Sequence, residues 1–340
     1  MQKEVTIYDL AKALNLSPAT ISRGLRKSSA LNEATVERIL AEAEKTGYRH
    51  NNFASNLRKQ QTKTIGIIVH ELNSNFIAAV LSGIEKVSTE SGYDLIISHS
   101  AESFKKEAAN VINLYQKRVD GLIASLSLDS EGLDHFKPFF SKNIPVIFFD
   151  RVEEQAPYAK VIIDNYNSGY QATQHLIAQG CKRIVLVTAN LNRNVYAQRF
   201  KGYKDALKDY QIPFNEDWVL IKDLSEKCGR EAAEKILSMN PLPDAAFITN
   251  DFSAAVCIQT LKENGIRIPE DIAIVGFNND AISKIVTPQL TTINYPGIEI
   301  GEIAARQLIA HIKGESNLND NPTTFVNADL CIRKSSLRKG

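Results

Sequence analysis

Residues 5–25 read VTIYDLAKALNLSPATISRGL, and this stretch decides how the start of the chain folds. Thr6 can N-cap a helix, and Asp9 completes a capping-box spacing three residues on. Ile7, Leu10, Ala11 and Leu14 fall on one helical face, at i, i+3, i+4 and i+7. Asn15-Leu16 makes a tight turn. Ser17 caps a second helix over 18–25, and Pro18 sits in its first turn, where a missing N–H costs nothing. So short a helix cannot stand alone and must pack through Ile21 and Leu25. Further on, Asn32 can cap a third helix whose face is Val36, Ile39, Leu40 and Ala43, with Gly47 as its stop.

Two short helices joined by a tight turn form a helix-turn-helix layout. The chemistry of the second helix suits DNA. Ser17, Thr20 and Ser22 place short hydroxyls where they can reach phosphates beside exposed N–H groups. Arg23 can fork onto guanine O6 and N7. The charge agrees: residues 1–60 carry ten Lys/Arg against six Asp/Glu, a net +4, while the remainder is −3. A basic head on a mildly acidic body points to a polyanion partner. Pattern alone also fits a small three-helix bundle that binds protein.

From Thr64 onward, apolar strand runs alternate with amphipathic helical runs. Strands are expected near 65–69, 93–98, 121–124, 145–149, 160–163, 183–187, 218–221, 246–248, 273–277 and 291–294. Late strands are expected near 324–326 and 330–332, after a long helix over 298–313. Such alternation means parallel sheets covered on both faces, here in two doubly wound lobes. The second series is read as opening at Lys160. This places lobe one at about 63–160 and 293–325, and lobe two at about 161–290 and 326–335. The full division is a head at 1–50, a hinge helix at 51–60 and an effector and dimerisation body at 61–340.

With 340 residues, 44% of them hydrophobic and 23% charged, the chain can bury ordinary cores without staples. Cys181, Cys228, Cys257 and Cys331 lie far apart and form no CxxC pair, so neither zinc nor a disulfide framework is expected. No apolar run resembles a signal peptide or a membrane span, which points to the cytoplasm. No GxGxxG, GK[ST], HExxH or GxSxG motif is present, so an enzyme is not expected, and no cofactor. The six histidines are scattered, and Trp218 reads as structural.

Ligands of open α/β sheets bind beyond the carboxyl ends of the strands. Those ends carry Asn73, Asn75, Asp150, Asn250-Asp251 and Asn278-Asn279-Asp280, with Arg199 near a helix start and Phe76 and Phe277 as flat faces. Acids, amides and an arginine beside aromatic faces suit a polyhydroxylated ligand. Asn and Asp also serve as turn and capping residues, and for Asn250-Asp251 alone capping is an equal reading.

Val5-Thr-Ile-Tyr-Asp-Leu-Ala11, Leu16-Ser-Pro-Ala-Thr-Ile-Ser-Arg23 and Ala43-Glu-Lys-Thr-Gly-Tyr48 resemble the head of the lac-repressor (LacI) family of bacterial transcription regulators. Asn51-Asn-Phe-Ala-Ser-Asn-Leu57 resembles that family's hinge. The resemblance implies that Ser17, Thr20, Ser22 and Thr35 hold phosphates. It implies that Pro18, Ala19 and Arg23 face base edges, and that Leu57 is a minor-groove wedge. Thr6, Tyr8, Arg26, Asn51 and Ala54 complete the candidate DNA-contact set. Three positions depart from the family pattern. Gly24 stands where Ala or Val is usual, which predicts a looser end to the recognition helix. Arg26 stands where Asn is usual, and His50 replaces the usual Pro before the hinge.

In the body, Phe149-Asp150-Arg151, Arg199-Phe-Lys-Gly202-Tyr, Thr249-Asn250-Asp251 and Val275-Gly-Phe-Asn278 resemble the family's effector domain, which is similar to periplasmic sugar-binding proteins. The resemblance implies that Asp150, Arg199, Asn250 and Asn278 contact the effector, with Asn75, Phe76 and Phe277 beside them. Asn278 departs from the usual Asp. An amide donates as well as accepts, which points to a different hydroxyl pattern, or to a carboxylate or phosphate on the ligand. The implied function is a repressor that binds double-stranded operator DNA as a homodimer, under control of a small polar, sugar-derived effector. The alternatives are control by a phosphoprotein partner, or a cytoplasmic solute-binding protein.

Overall fold

The computed structural model describes residues 5–25, 30–48, 61–320 and 322–338. The chain divides into two compact units, Met1–Thr62 and Lys63–Gly340.

The first unit holds α1 (Ile7–Leu14), α2 (Pro18–Leu25) and α3 (Glu33–Thr46). Thr6 and Asp9 form the reciprocal capping box, Asn15 closes α1 in the left-handed conformation, and Gly47 does the same for α3. Ser17 Oγ accepts the Thr20 N–H at 3.1 Å, and Asn32 Oδ1 accepts the Thr35 N–H. Leu10, Ile21 and Ile39 are fully buried at the centre, each contributing about 1.5–3 kcal/mol. Gly24 is buried in α2, and a methyl group there would meet the Ile39 side chain of α3. Close packing between the two helices is a demand that a single sequence does not display.

The second unit is two six-stranded sheets. The first has strand order β11-β5-β4-β3-β1-β2, all parallel: β1 (Thr64–Val69), β2 (Asp94–His99), β3 (Gly121–Ala124), β4 (Val146–Phe149), β5 (Lys160–Ile163) and β11 (Thr323–Val326). The second has order β12-β10-β9-β8-β6-β7: β6 (Ile184–Thr188), β7 (Val219–Ile221), β8 (Ala245–Ile248), β9 (Ala273–Asn278), β10 (Thr291–Asn294) and β12 (Leu330–Cys331), parallel except for β10 against β12. Central strands are buried on both faces, as all-apolar parallel strands require. Helices α4 (Asn75–Glu90), α5 (Phe104–Gln116), α6 (Lys137–Phe140) and α12 (Gly297–Ile312) belong to the first lobe. Helices α7 (Asn165–Ala178), α8 (Asn194–Asp209), α9 (Glu226–Ser238), α10 (Asp251–Glu263) and α11 (Ile282–Ile285) belong to the second.

One boundary needs correction. β5, read as opening the second lobe, lies inside the first sheet between β4 and β11, and β10 belongs wholly to the second sheet. The chain crosses at Asp164, again between Asn294 and Gly297, and a third time between Val326 and Leu330. A strand buried on both faces has the same composition in either sheet, so periodicity cannot tell which sheet it joins. Trp218 packs partly buried against the second lobe's core, as a structural residue would. Among the described residues, no helix is long and apolar enough to cross a membrane.

Candidate functional sites

The register of the first sheet aligns the carboxyl ends of its strands. Val69 sits beside His99, and Ala124 beside Phe148, so His70, Ser125 and Asp150 follow on neighbouring strands. His70 Nδ1 lies 2.9 Å from Ser125 Oγ, Ser125 hydrogen-bonds Asp150, and Asp150 Oδ1 accepts the Tyr295 hydroxyl at 2.6 Å. Asp150 is buried with a left-handed backbone, φ 57°, which Asp adopts more readily than most residues. Burial pushes its carboxyl up from the ordinary value, against the opposing pull of Arg151 and the Tyr295 bond. Burial also holds His70 well below the usual histidine range, so it is neutral.

The second lobe faces this rim with α8 and the ends of β8 and β9. Arg199 is buried; its guanidinium lies 3.5 Å from the Phe277 ring centroid, and Nε donates to Asn165 Oδ1 at 2.9 Å. Desolvation lowers its pKa, and Asp150 is among the charges that oppose the drop. A cation over a desolvated aromatic face gains on the order of 2 kcal/mol. Tyr295 joins the two sides. Its ring stacks on Phe76 at 4.0 Å and meets Phe277 edge-on at 5.8 Å.

The structure thus gathers Asp150, Arg199, Phe76 and Phe277 into one group. Asn75 and Asn278 form a second: Asn75, exposed at the start of α4 in lobe one, hydrogen-bonds Asp280 of lobe two, and Asn278 Nδ2 reaches the same carboxylate at 3.4 Å. Asn278 holds a positive φ of 116°, a strained value for a residue with a side chain. Asn250 joins neither group. It caps α10, with Oδ1 accepting the Ser253 N–H at 3.0 Å. Asn73 is exposed, its N–H donating to Glu71. Asn279 is taken up by Arg333 and Asn294, and Asp251 by Thr292 and the Asp280 N–H.

Several residues at this place were not picked out from the sequence. Arg151 donates to both Glu102 oxygens at 2.7 Å and to Tyr196 Oη at 3.2 Å. Arg193 pairs with Glu153 and donates to the Ser130 carbonyl. Tyr295 was the most legible of them, because it directly follows β10, at the strand end where ligands gather.

In the first unit, Ser17, Pro18, Ala19 and Arg23 are exposed on or just before α2, Thr20 and Ser22 half-buried, and Thr35 half-buried at the start of α3. Thr6 is engaged with Asp9, while Tyr8 is 71% exposed on α1. Arg26, His50, Asn51, Ala54 and Leu57 lie outside the described residues, and with them the whole hinge reading.

A short helix-turn-helix unit and a two-lobed, doubly wound body with a charged, aromatic-lined group between the lobes define a class: a ligand-controlled DNA-binding regulator. Comparison with known proteins agrees. Residues 6–51 match the family described as bacterial regulatory proteins, lacI family, and residues 62–329 match periplasmic binding proteins and sugar binding domain of LacI family. The chain belongs to the LacI family of bacterial transcription regulators. Catabolite control protein A of Priestia megaterium is 32% identical over 313 residues, 92% of this chain and 94% of that one. The HTH-type transcriptional repressor PurR of Escherichia coli O1:K1 / APEC is 30% identical over 336 residues, 98% and 97%. The lac repressor dimer bound to operator and the anti-inducer ONPF superposes with a TM-score of 0.87 at 25% identity, covering 99% of this chain and 100% of that one. A transcriptional regulator CelR–cellobiose complex gives 0.73 at 26% identity, covering 98% and 100%. The chain is a DNA-binding transcriptional repressor of this family, controlled by a small-molecule effector in its two-lobed body.

Proposed function

We propose that the effector is small, polar and sugar-derived, and that it is held between the lobes by Asp150, Arg199 and Asn278, with Asn75 at the margin and Phe76 and Phe277 as apolar faces. One observation carries this reading. Asp150 from lobe one and Arg199 from lobe two are both buried, opposite in charge, and close enough to influence each other's ionisation. An acceptor and a planar five-donor fork flanked by aromatic rings match vicinal hydroxyls or a carboxylate.

The protein acts as a homodimer in the cytoplasm, where its operator is. Each sheet ends in an edge strand with an exposed isoleucine, Ile97 on β2 and Ile221 on β7. Phe252 on α10 and Ile285 on α11 are exposed as well. Unpaired edges with apolar side chains need cover, and a second copy supplies it. Ser17, Thr20, Ser22 and Thr35 hold phosphates, and Arg23 reads a base.

The test is a thermal-shift screen of sugars, sugar acids and sugar phosphates, followed by calorimetry on wild type and Arg199→Ala. Specific binding raises apparent stability. Loss of the arginine should cost on the order of 1–3 kcal/mol of ligand affinity. Unchanged affinity in Arg199→Ala would place the site elsewhere. A chain answering only to a phosphoprotein would shift with none of the sugars.

A further inference from the structure

We propose that Tyr295 is a resident ligand of the cleft: its phenol bridges the two lobes at the place assigned to the effector, so an effector binds by replacing it on Asp150 and must itself be a hydroxylated ring with one flat apolar face. The inference rests on the proposed effector site and deepens it by naming the ligand class.

Tyr295 lies in the crossover between β10 of the second sheet and α12 of the first lobe. Its backbone is fixed on both sides, the N–H donating to the Asn278 carbonyl at 3.3 Å and the carbonyl accepting the Gly297 N–H at 2.8 Å. Its side chain is 6% exposed and touches both lobes. From lobe one come Phe76, stacked at 4.0 Å and 22°, and Asp150, which accepts the hydroxyl at 2.6 Å. From lobe two come Phe277, edge-on at 5.8 Å and 88°, and Arg199, whose guanidinium is 5.5 Å from the ring centroid.

Each contact is one that a ligand would make. A hydroxyl donor satisfies the buried carboxylate, a flat ring covers Phe76, and a ring face lies near a cation. All four of these groups, Asp150, Phe76, Phe277 and Arg199, are therefore already met by the chain itself. The hydroxyl that an incoming ring presents to Asp150 must displace one already there. A purely apolar ring would leave Asp150 buried without that donor, and a linear polyol would leave the Phe76 face uncovered. A ring that carries a hydroxyl on one edge and an apolar face meets both demands.

The test uses the full chain and p-cresol, the tyrosine side chain as a free molecule. Removing a buried ring leaves a cavity that a molecule of the same shape can enter. In Tyr295→Ala, p-cresol should raise the melting temperature in a saturable way. Toluene, which lacks the hydroxyl, should raise it less. Wild type should respond to neither, because its own phenol holds the place. Equal responses of wild type and variant, no response in a folded variant, or toluene matching p-cresol would each overturn the proposal. Should Tyr295→Ala fail to fold, Tyr295→Phe, Asp150→Asn and the double variant decide: their stability losses should be less than additive, and additive losses overturn it. Neither arm needs an effector. A screen in which no sugar binds would remove the sugar reading of the site and leave this result standing.

Discussion

Asn194 holds the backbone of Asp150 from across the lobes: its Nδ2 donates to the Asp150 carbonyl at 3.1 Å, while its Oδ1 accepts the Val152 N–H at 3.0 Å. One amide at the start of α8 thus fixes the segment that carries the central carboxylate. Asn194 is 8% exposed, so water has little access to replace it. Asn194→Ala leaves a buried carbonyl and a buried N–H without partners, at about 1–3 kcal/mol each. Urea unfolding should show a loss of about 2–6 kcal/mol. A loss below about 0.5 kcal/mol would show that the joint relaxes or takes up water, and that Asn194 does not position Asp150.

The strands were legible because apolar runs bounded by Gly, Pro and polar residues have few other uses. Ile65-Gly-Ile-Ile-Val69 and Ala273-Ile-Val-Gly-Phe277 fall inside β1 and β9. The caps at Thr6 and Asn32 were legible too, since their partners lie three residues away. What required the structure is long-range. The sheet to which β5 belongs depends on β4 and β11, the latter some 160 residues later. The Arg151–Glu102 pair joins positions 49 apart, and the Tyr295–Asp150 bond positions 145 apart. No local periodicity encodes such a meeting. Arg199 and Asp150 were found through a motif, yet Asn250, found the same way, caps a helix instead of meeting them.

The crossing of α4 and α12 sets a second expectation. A methyl group at Gly301 would overlap the Val80 carbonyl, and one at Gly83 the Ile298 carbonyl. The obstacles are backbone atoms, so no rotamer change relieves them. Gly301→Ala would gain up to about 1 kcal/mol in helix propensity. Overpacking costs about 1–3 kcal/mol, and here the two helices must part. Net destabilisation is expected in a thermal melt. A melting temperature equal to or above that of wild type would mean that the crossing is looser than this geometry.

Asp251 gives the pH expectation. Burial pushes its carboxyl up to about 8 from an ordinary 3.8. In the window between those values the unfolded chain has released the proton and the folded chain retains it. The folded state then binds more protons, so stability falls as pH rises from about 4 to about 8. This is the reverse of a salt-bridged carboxylate. Asp251→Asn removes the titration, and its stability should decline less over the same window. Parallel stability curves for the two proteins would show that Asp251 is already ionised in the fold, held by Thr292 and the Asp280 N–H.

Arg23 is the last case, and it separates reading a base from holding a phosphate. It is exposed on α2, one residue after Ser22 and four after Ala19, so all three share a helical face. Pro18 and Ala19 offer only apolar contact, which leaves Arg23 as the side chain on α2 able to make a bidentate bond to guanine. If it does, Arg23→Ala should cost about 1–3 kcal/mol on the operator, with base preference relaxed at one position. Binding to random DNA should change much less. If Arg23 instead holds a phosphate, both DNAs should weaken together, and the salt dependence should fall by about one ion. Titrating operator and random duplexes at two salt concentrations distinguishes these outcomes. A uniform loss with a shallower salt slope would move Arg23 from base reader to backbone contact, and unchanged operator affinity would remove it from the interface.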